Sequence, residues 1–319
     1  MISRKEATSF FKKENVNLVG TGKDKLVFGV VKKYPKEALL KKDIIPASVA
    51  GVPTDVIETG YIRALQGRTD KWRPSPGGVS IGHFAITAGT HGMTVLKDGV
   101  KMVLSNNHVL ANSNDASIRD EIYQPGVYDG GSSADTIAWL HSFVPIKFGG
   151  GNGGGSDCWF SRGFAHFWNF WWWFTLRTTR FRTYDSMIQY NLTDCALAEP
   201  LEETDLRDDI LDIGVPTGFG EVGVGDTVCK SGRTSAYTEN TVQAINAYTS
   251  VGYGGGKVAY FEDQIITGHM LDPGDSGSVV LKGDKKTVVG LGFAGSNQVS
   301  IINRIANVRD GLGGFECLG

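Results

Sequence analysis

Short apolar runs rich in β-branched residues dominate the chain from residue 77 onward and alternate with turns that contain glycine or asparagine. Regularly spaced short strands with few helical periods are typical of an all-β barrel or sandwich. An acidic stretch over 194–213 divides the runs into two groups, so the pattern predicts two β halves joined by a surface crossing. The predicted strands cover 79–87, 93–96, 101–105, 136–141, 189–198, 227–230, 241–244, 258–267, 278–282 and 286–293.

The first 75 residues follow a different pattern, with apolar runs separated by lysines. The order of these runs predicts strands over 16–20, 26–33 and 56–63 and a short helix over 35–42, which together make a small α+β unit. Residues 1–43 carry a local charge of +6. We interpret the lysines as the solvated face of this unit, with a basic docking surface as the alternative.

The last apolar positions of the chain have helical spacing. An i, i+4, i+7 apolar spacing relates Ile301, Ile302, Ile305, Val308 and Leu312, which predicts a closing helix. The predicted domains are therefore a lysine-rich α+β domain over 1–75, a first β domain over 76–205, and a second β domain with the closing helix over 206–319.

An aromatic insertion over 149–185 interrupts the first β domain. Residues 149–155 are six glycines and one asparagine, and residues 159–174 contain ten aromatic side chains. Such a surface must be covered, because ten exposed rings would present roughly 1,500–2,500 Å² of apolar area. Three alternatives stay open for residues 159–176: packing on their own domain or in a homo-oligomer, contact with a membrane interface, or binding of a client protein.

Charge and cysteine content narrow the class of protein. The 319 residues carry a net charge of −2, so no global basic field argues for nucleic acid. Four cysteines form neither a disulfide framework nor a zinc pattern, and we expect no metal or cofactor. The charged N-terminus lacks the apolar run of a secretory signal. These features predict a soluble cytoplasmic protein.

The strongest chemical signal is the run Asp-Pro-Gly-Asp-Ser-Gly-Ser over 272–278. A serine nucleophile needs a tight turn with backbone N–H groups aimed at the developing oxyanion. Gly274 and Gly277 permit such a turn around Ser276, and the N–H groups of Gly274 and Ser276 would form the donor pair. The alternative is a plain turn between two strands.

A serine nucleophile also needs a base and an orienting acid. His108 stands where a β-branched run ends and polar residues begin, which suits a base at the edge of a cleft. His269 is a candidate for a substrate-pocket wall or a structural histidine. Asp194 precedes a run of small apolar residues and is the preferred acid, with Asp135 and then Asp129 as alternatives.

The order His108, Asp194, Ser276, within Asn-Asn-His-Val-Leu, Asp-x-Ala-x-Ala and Gly-Asp-Ser-Gly-Ser, resembles the chymotrypsin/trypsin-like serine proteases. The resemblance covers about residues 77–312 and is to their bacterial HtrA-like branch. The run Lys-Ser-Gly-Arg-Thr over 230–234 and the N-terminal region ending at 51–56 are similar to bacterial trypsin-like peptidases related to the plant narrow-leaf protease.

The resemblance implies an all-β double barrel, with two antiparallel six-stranded barrels and a His-Asp-Ser triad between them. It also implies a substrate pocket with Met270 and Leu271 at its base. Phe293, Ala294 and Gly295 would form its wall. No acid would lie at the base of this pocket, which favours a small or medium apolar P1 residue over lysine or arginine.

Departures from the family's pattern affect location and activation. Val109 stands where secreted members carry cysteine, which favours an intracellular enzyme. No Ile-Val-Gly-Gly sequence precedes the barrel, so we do not expect a new N-terminus to pair with Asp275. The prediction is an intracellular serine endopeptidase that acts on protein or peptide through an acyl-enzyme. The alternative is a catalytically silent protease-fold protein that binds or assembles through the aromatic insertion.

Overall fold

The computed structural model describes residues 2–60, 62, 66–149 and 188–319. The predicted aromatic insertion therefore lies, except for its first residue, outside the described residues. The chain divides into two compact units, Met1–Gln66 and Gly67–Gly319. The domain boundaries after residues 75 and 205 stay predictions.

The first unit combines helix and strand around a small core of Phe10, Leu26 and Phe28. Its four-stranded sheet has the order β1-β2-β4-β3, and β2 runs parallel to β4. Its elements are α1 Arg4–Phe10, β1 Val16–Thr21, β2 Leu26–Val30, a 3₁₀ turn Lys36–Ala38, β3 Ser48–Val49 and β4 Val52–Glu58.

Two element predictions for this unit are wrong in extent. The third strand was expected over 56–63, but β4 begins earlier, at Val52, where it pairs with β3. It then pairs with β2 and ends at Glu58, whose partner in β2 is Val30. The helix expected over 35–42 is only one 3₁₀ turn, Lys36–Ala38.

The second unit is built almost entirely from short strands. Its first part contains β5 Ser75–Gly77, β6 Ser80–His83, β7 Gly89–Thr90, β8 Met93–Lys97, β9 Val100–Ser105, α2 Asn107–Leu110, β10 Glu121–Tyr123, β11 Thr136–Phe143, β12 Phe148–Gly149, β13 Tyr190–Asn191, β14 Ala196–Pro200 and β15 Leu206–Ile210. Its second part contains β16 Gly218–Phe219, β17 Thr227–Gly232, β18 Ala236–Gly252, β19 Val258–Gly268, β20 Val279–Lys282, β21 Thr287–Gly295, β22 Val299–Arg304 and α3 Ile305–Gly311.

Two large sheets carry the core of this unit. The first has the order β7-β6-β10-β11-β14-β9-β8, and only two residues separate its end strands β7 and β8 along the chain. In the second, β22 pairs with both β19 and β21 and closes a ring of the six strands β17–β22. Buried aliphatic side chains such as Val103, Leu140, Val280 and Ile302 fill the space between strands, as alternating inward-facing positions require.

The mostly β class with few helices is confirmed. The expectation of two barrels with six strands each is not confirmed in that form, because the hydrogen-bonded paths hold seven and nine strands. The closing helix is shorter than predicted. Ile301 and Ile302 belong to β22, where backbone pairing on both sides overrides their helical spacing, and α3 begins only at Ile305. No helix within the described ranges has the length and apolar content to cross a membrane.

Candidate active site

His108 lies on α2, which follows the buried end of β9 after a single residue. Asn106 has an extended backbone, and its Nδ2 donates to the carbonyl of Asp194 at 2.7 Å. This bond ties the entrance of α2 to the segment that carries the acid. The imidazole is 22% exposed, so it faces solvent while its neighbours are buried.

Asp194 lies between β13 and β14 and is completely buried. Its Oδ2 accepts from His108 Nδ1 at 2.6 Å and from Tyr253 Oη at 2.8 Å, and its Oδ1 accepts from the His108 backbone N–H at 3.2 Å. Its own N–H donates to Asn303 Oδ1 at 2.9 Å. A buried carboxylate is stable only when it is hydrogen-bonded in this way. The acid and the imidazole therefore have one fixed relative orientation.

The two alternative acids lie elsewhere. Asp135 forms an ion pair with Lys71 at 2.8 Å and accepts from Ser132. Asp129 binds the Arg233 guanidinium through both of its carboxylate oxygens. Of the three candidate acids, only Asp194 contacts His108.

Ser276 occupies a turn that requires glycine on both sides. Gly274 has φ +100° and Gly277 has φ +95°. A side chain at Gly277 would also lie 2.1 Å from Ser105 Oγ, so the turn packs directly on the end of β9. The Ser276 carbonyl accepts from the Thr90 N–H at 2.8 Å. These constraints hold the serine backbone against the first sheet.

Two backbone N–H donors at this turn are unpaired. Among the described residues, the N–H groups of Gly274 and Ser276 have no acceptor. The Pro273 carbonyl accepts from Thr234 Oγ1 at 2.8 Å. Because the C=O and N–H of one trans peptide point in opposite directions, this bond turns the Gly274 N–H away from Thr234. The pair of N–H groups has the composition of an oxyanion hole.

A buried ion pair supports the same turn. Lys230 and Asp275 have fully buried side chains, and their charged atoms lie 2.9 Å apart. Lys230 Nζ also donates to Ser235 Oγ at 2.6 Å and to the Ala236 carbonyl at 3.0 Å, so all three of its protons are used. Burial alone would raise the pKa of Asp275, but Lys230 and the surrounding hydrogen bonds outweigh it and lower that pKa. Asp275 is therefore an anion, and its buried ion pair holds the Ser276 turn in place.

Two cavities lie on either side of Ala294 and Gly295 in β21. The larger, of about 550 Å³, is lined by His108, Tyr253 and Phe293. The smaller, of about 170 Å³, is lined by Ser276, with Leu271 and His269. Ala294 and Gly295 line both cavities.

The predicted pocket residues are thus divided between two places. Leu271, Ala294 and Gly295 lie beside Ser276. Phe293 lines the cavity of His108, and Met270 is 2% exposed and packs in the core of the second sheet. His269 does line the small cavity, where its Nε2 lies 3.3 Å from Asp272 Oδ1.

Gly89 lies between the segment that carries His108 and the segment that carries Ser276. A Cβ at Gly89 would lie 2.5 Å from Val109, the residue after His108, and 3.0 Å from the Ser276 carbonyl oxygen. Ser276 Oγ donates to the Phe293 carbonyl at 3.3 Å, and within the described part of the chain it has no hydrogen bond to the imidazole. Bonds between nucleophile and base are often loose before substrate binds.

Sequence reasoning missed two residues of this region, Tyr253 and Lys230. Tyr253 lies in a glycine-rich turn between β18 and β19, where nothing local distinguishes it. Lys230 belongs to the run over 230–234 that carries part of the family resemblance, but that run gave it no role at the site. Its place as the one charged residue of β17 was the signal for a buried ion pair.

Comparison with known proteins finds a partial relative. Serine protease 2 from Streptomyces fradiae is 39% identical over 80 residues, which are 25% of this chain. The match covers 42% of that relative, so the chain spans about two fifths of the relative's length. No family model matches. Solved structures that match include the Nocardiopsis protease NAPase (14% identity, 76% of this chain, 97% of that chain, TM-score 0.47) and Thermobifida fusca protease A (14%, 76%, 97%, TM-score 0.46).

Proposed function

We propose that this chain is a serine endopeptidase in which His108, Asp194 and Ser276 form the catalytic triad. The observation that carries the proposal is the 2.6 Å bond between His108 Nδ1 and buried Asp194, at a cavity that shares Ala294 and Gly295 with the cavity of Ser276. The 80-residue similarity to a protein named Serine protease 2 supports it. The proposed fold is a chymotrypsin-like double barrel.

The reaction proceeds in two halves. His108 Nε2 accepts the Ser276 Oγ proton as the oxygen attacks the substrate carbonyl, and the imidazolium is stabilised by Asp194. The resulting oxyanion accepts hydrogen bonds from the Gly274 and Ser276 N–H groups. Collapse of this intermediate breaks the C–N bond, and His108 returns the proton to the leaving amine. Water then attacks the acyl-enzyme by the same route and releases Ser276.

The small cavity would receive the side chain before the scissile bond. Its volume of about 170 Å³ is below the roughly 300–1,000 Å³ of pockets for drug-sized ligands, so it suits a single side chain. Leu271, Pro273 and Ala294 supply apolar surface. Among the described residues that line it, Asp272 is the one carboxylate, and it faces His269. We therefore propose a small or medium apolar P1 residue.

Lys230 makes a freed N-terminus unnecessary for activation. A cation beside Asp275 is what stabilises the nucleophile turn, and Lys230 supplies it from within the chain. The proposed enzyme is therefore competent without proteolytic maturation at the start of its β domains.

The branch of the protease family, the cellular location and the binding partners of the protein are proposed from features of its sequence. The triad motifs support the HtrA-like branch, and the N-terminal region ending at 51–56 supports the relation to the plant narrow-leaf protease. Val109 in place of cysteine supports a cytoplasmic location, where thiols remain reduced. Residues 159–176 are proposed as a homo-oligomer or membrane contact. Size-exclusion mass with and without detergent, for wild type and the Trp171/Trp172/Trp173→Ser variant, tests that contact, and identical soluble monomers without lipid binding would exclude it.

A fluorophosphonate probe tests the activity directly. We expect the probe to add one mass increment to the full chain, detected by intact-protein mass spectrometry. Ser276→Ala should abolish the addition, and His108→Ala should slow it by about 10³-fold or more, since the base activates the serine. The matched control Ser117→Ala removes an exposed serine hydroxyl and should label like wild type.

A peptide library then tests the substrate. Cleavage after small or medium apolar residues is expected, and cleavage mainly after basic residues would contradict the proposed pocket. Folded wild-type protein that takes up no probe would exclude the enzyme and favour the silent binding protein.

A further inference from the structure

The Asp194 carboxylate has a third donor outside the proposed triad. Tyr253 Oη donates to Oδ2 at 2.8 Å, the same oxygen that His108 Nδ1 contacts at 2.6 Å. Together with the His108 N–H on Oδ1, these are the donors that the described residues supply to the carboxylate. We propose that Tyr253 is a positioning residue that holds Asp194 for His108, an inference that rests on the proposed function.

The tyrosine reaches Asp194 from a hairpin of the second sheet. β18 ends at Gly252 and β19 begins at Val258, so Tyr253 is the first residue of the connecting turn. Gly254, Gly255 and Gly256 all have positive φ, a backbone that glycine adopts at lower cost than residues with a side chain. The hydrogen bonds between Tyr253 N and Lys257 O and between Lys257 N and Gly254 O, both 2.9 Å, close the turn. The hairpin therefore delivers the phenol to a defined point.

Ring packing fixes the direction of the phenol. The Tyr253 ring meets the His108 ring edge-on at 5.8 Å and Phe148 edge-on at 5.4 Å, and it stacks on Phe261 at 6.4 Å. These contacts orient the side chain without its hydroxyl. Phenylalanine at position 253 can keep them, so the hydroxyl can be removed alone.

The protonation state of the Tyr253 phenol suits a group that donates a hydrogen bond to Asp194. Burial, followed by the charge of Asp194 and the bond to it, raises the pKa of Tyr253 well above its ordinary range. The phenol therefore stays protonated at neutral pH. A donor on Oδ2 takes up part of the carboxylate charge, which limits the attraction between Asp194 and protonated His108.

Few other titratable groups contact this pair within the described ranges. Cys195 follows Asp194, and burial raises the pKa of its thiol far above the ordinary range, so it stays neutral. Lys257 lies over the Phe148 ring and pairs with Asp115 at 2.9 Å. A change in pH dependence after loss of the Tyr253 hydroxyl is thus attributable to the Asp194–His108 pair.

Tyr253→Phe in the full chain tests the role. We expect kcat on a peptide amide to fall about tenfold, the order expected for one hydrogen bond to a charged group, with KM within twofold. The acidic limb of the kcat/KM profile should move to higher pH, because a carboxylate that has lost one donor attracts the imidazolium more strongly. Tyr248→Phe is the matched control, since it removes an exposed phenol from the same hairpin.

A spectroscopic readout separates this inference from the proposed activity. The low-field proton resonance of His108 Nδ1–H reports its bond to Asp194 whether or not the chain turns over substrate. Tyr253→Phe should shift this resonance and its pH midpoint, and Tyr248→Phe should not. The fluorophosphonate probe could fail to label wild type while Tyr253→Phe still shifts the His108 resonance. In that case the proposed peptidase activity is wrong, and the positioning role of Tyr253 holds. An unchanged kcat, acidic limb and resonance in folded Tyr253→Phe would overturn the role of Tyr253.

The wild-type protein supplies a second test if Tyr253→Phe does not fold. A buried phenol that donates to Asp194 exchanges its proton slowly, so its hydroxyl resonance should be visible and coupled through space to His108. Rapid exchange of the Tyr253 hydroxyl in folded wild type would contradict the hydrogen bond.

Discussion

The orientation of a single peptide, between Pro273 and Gly274, decides whether the oxyanion hole has two donors. The Thr234 hydroxyl holds the Pro273 carbonyl at 2.8 Å, and Thr90 Oγ1 holds the Gly274 carbonyl at 2.9 Å. Two side-chain hydroxyls thus fix consecutive carbonyls. Because both neighbouring carbonyls are held, the Gly274 N–H between them has a fixed direction, away from Thr234.

Thr234→Val should weaken catalysis by loosening this peptide. Valine keeps the shape of threonine and loses the donor to Pro273. Complete loss of one oxyanion donor costs about 10²–10³ in kcat, and a loosened donor should cost about tenfold. We expect this fall in kcat on a peptide amide, with the free energy of unfolding changed by less than about 1 kcal/mol. Thr234→Ser retains a hydroxyl and serves as the control. Wild-type kcat in Thr234→Val would show that other contacts orient the peptide.

Buried His91 provides a prediction about stability and pH. Its Nδ1 lies 3.1 Å from Ser75 Oγ, and its Nε2 has no partner among the described residues. Burial lowers the pKa of His91 to about 4. The unfolded chain, with a histidine pKa near 6.5, then binds more protons than the folded chain between about pH 6.5 and 4. Stability is therefore lost as pH falls through this window.

His91→Gln should remove this part of the pH dependence. A pKa difference of about 2.5 makes the folded state lose about 2 kcal/mol between pH 7 and pH 4.5. Urea unfolding at both pH values should give a smaller difference for His91→Gln than for wild type. His141→Gln, which removes a partly exposed histidine, is the control. Equal pH dependence in wild type and His91→Gln would mean that His91 does not cause the loss.

At the scale of elements, β17 joins the second sheet to the nucleophile turn through Lys230. The strand pairs with β20, and its lysine reaches back to Asp275 just before β20 begins. Asp275 in turn accepts from the backbone N–H groups of Thr234 and Ser235 on one side and Asp272 on the other. One carboxylate thus connects two loops of the candidate site.

Lys230→Met should strongly destabilise the second sheet. It leaves Asp275 buried without its cation, and breaking a buried pair by removing one partner costs about 3–5 kcal/mol. Urea unfolding measures the loss, and Lys282→Met on neighbouring β20 is the control, because Lys282 is partly exposed. The double variant Lys230→Met/Asp275→Leu should recover neither stability nor activity, because the N–H groups of Thr234, Ser235 and Asp272 lose their acceptor. Stability like wild type in Lys230→Met would contradict a paired charge at this position.

The elements that could be predicted are those in which local pattern and long-range pairing agree. β-branched runs such as 258–267 and 286–293 correspond closely to β19 and β21. The run 189–198 is instead split into β13 and β14, because buried Asn191 bonds to Lys147 and Tyr260 and holds the chain out of a continuous strand. That break is where Asp194 lies.

Partners distant in sequence account for what could not be predicted in the site. Positions of His108, Asp194 and Ser276 follow from local motifs, whereas Tyr253 is 59 residues from Asp194 and Lys230 is 45 residues from Asp275. Propensity and spacing hold no information on such contacts. The fold alone brings these residues together.

At the scale of the molecule, the chain combines two compact units with opposite charge. Residues 1–66 carry a charge of +5, and residues 67–319 carry −7. The first unit is small, and a domain of about 60 residues buries only about 60% of its surface and is marginally stable alone. Exposed Phe11 and Leu40 add apolar surface to it. Both properties favour a unit that works with the rest of the chain or with an acidic substrate.

Deleting residues 1–66 should therefore change activity or soluble yield. If charge couples the first unit to the catalytic unit or to an acidic substrate, the effect on kcat/KM should be largest at low ionic strength and should shrink at 300 mM salt, where the Debye length falls below about 8 Å. A Lys5/Lys12/Lys41→Gln variant, which neutralises exposed lysines and keeps the unit, should reproduce part of the effect on activity. Kinetics, yield and unfolding free energy that are equal in the deletion and the full chain at both salt concentrations would mean that the lysines are only the solvated face of an independent unit.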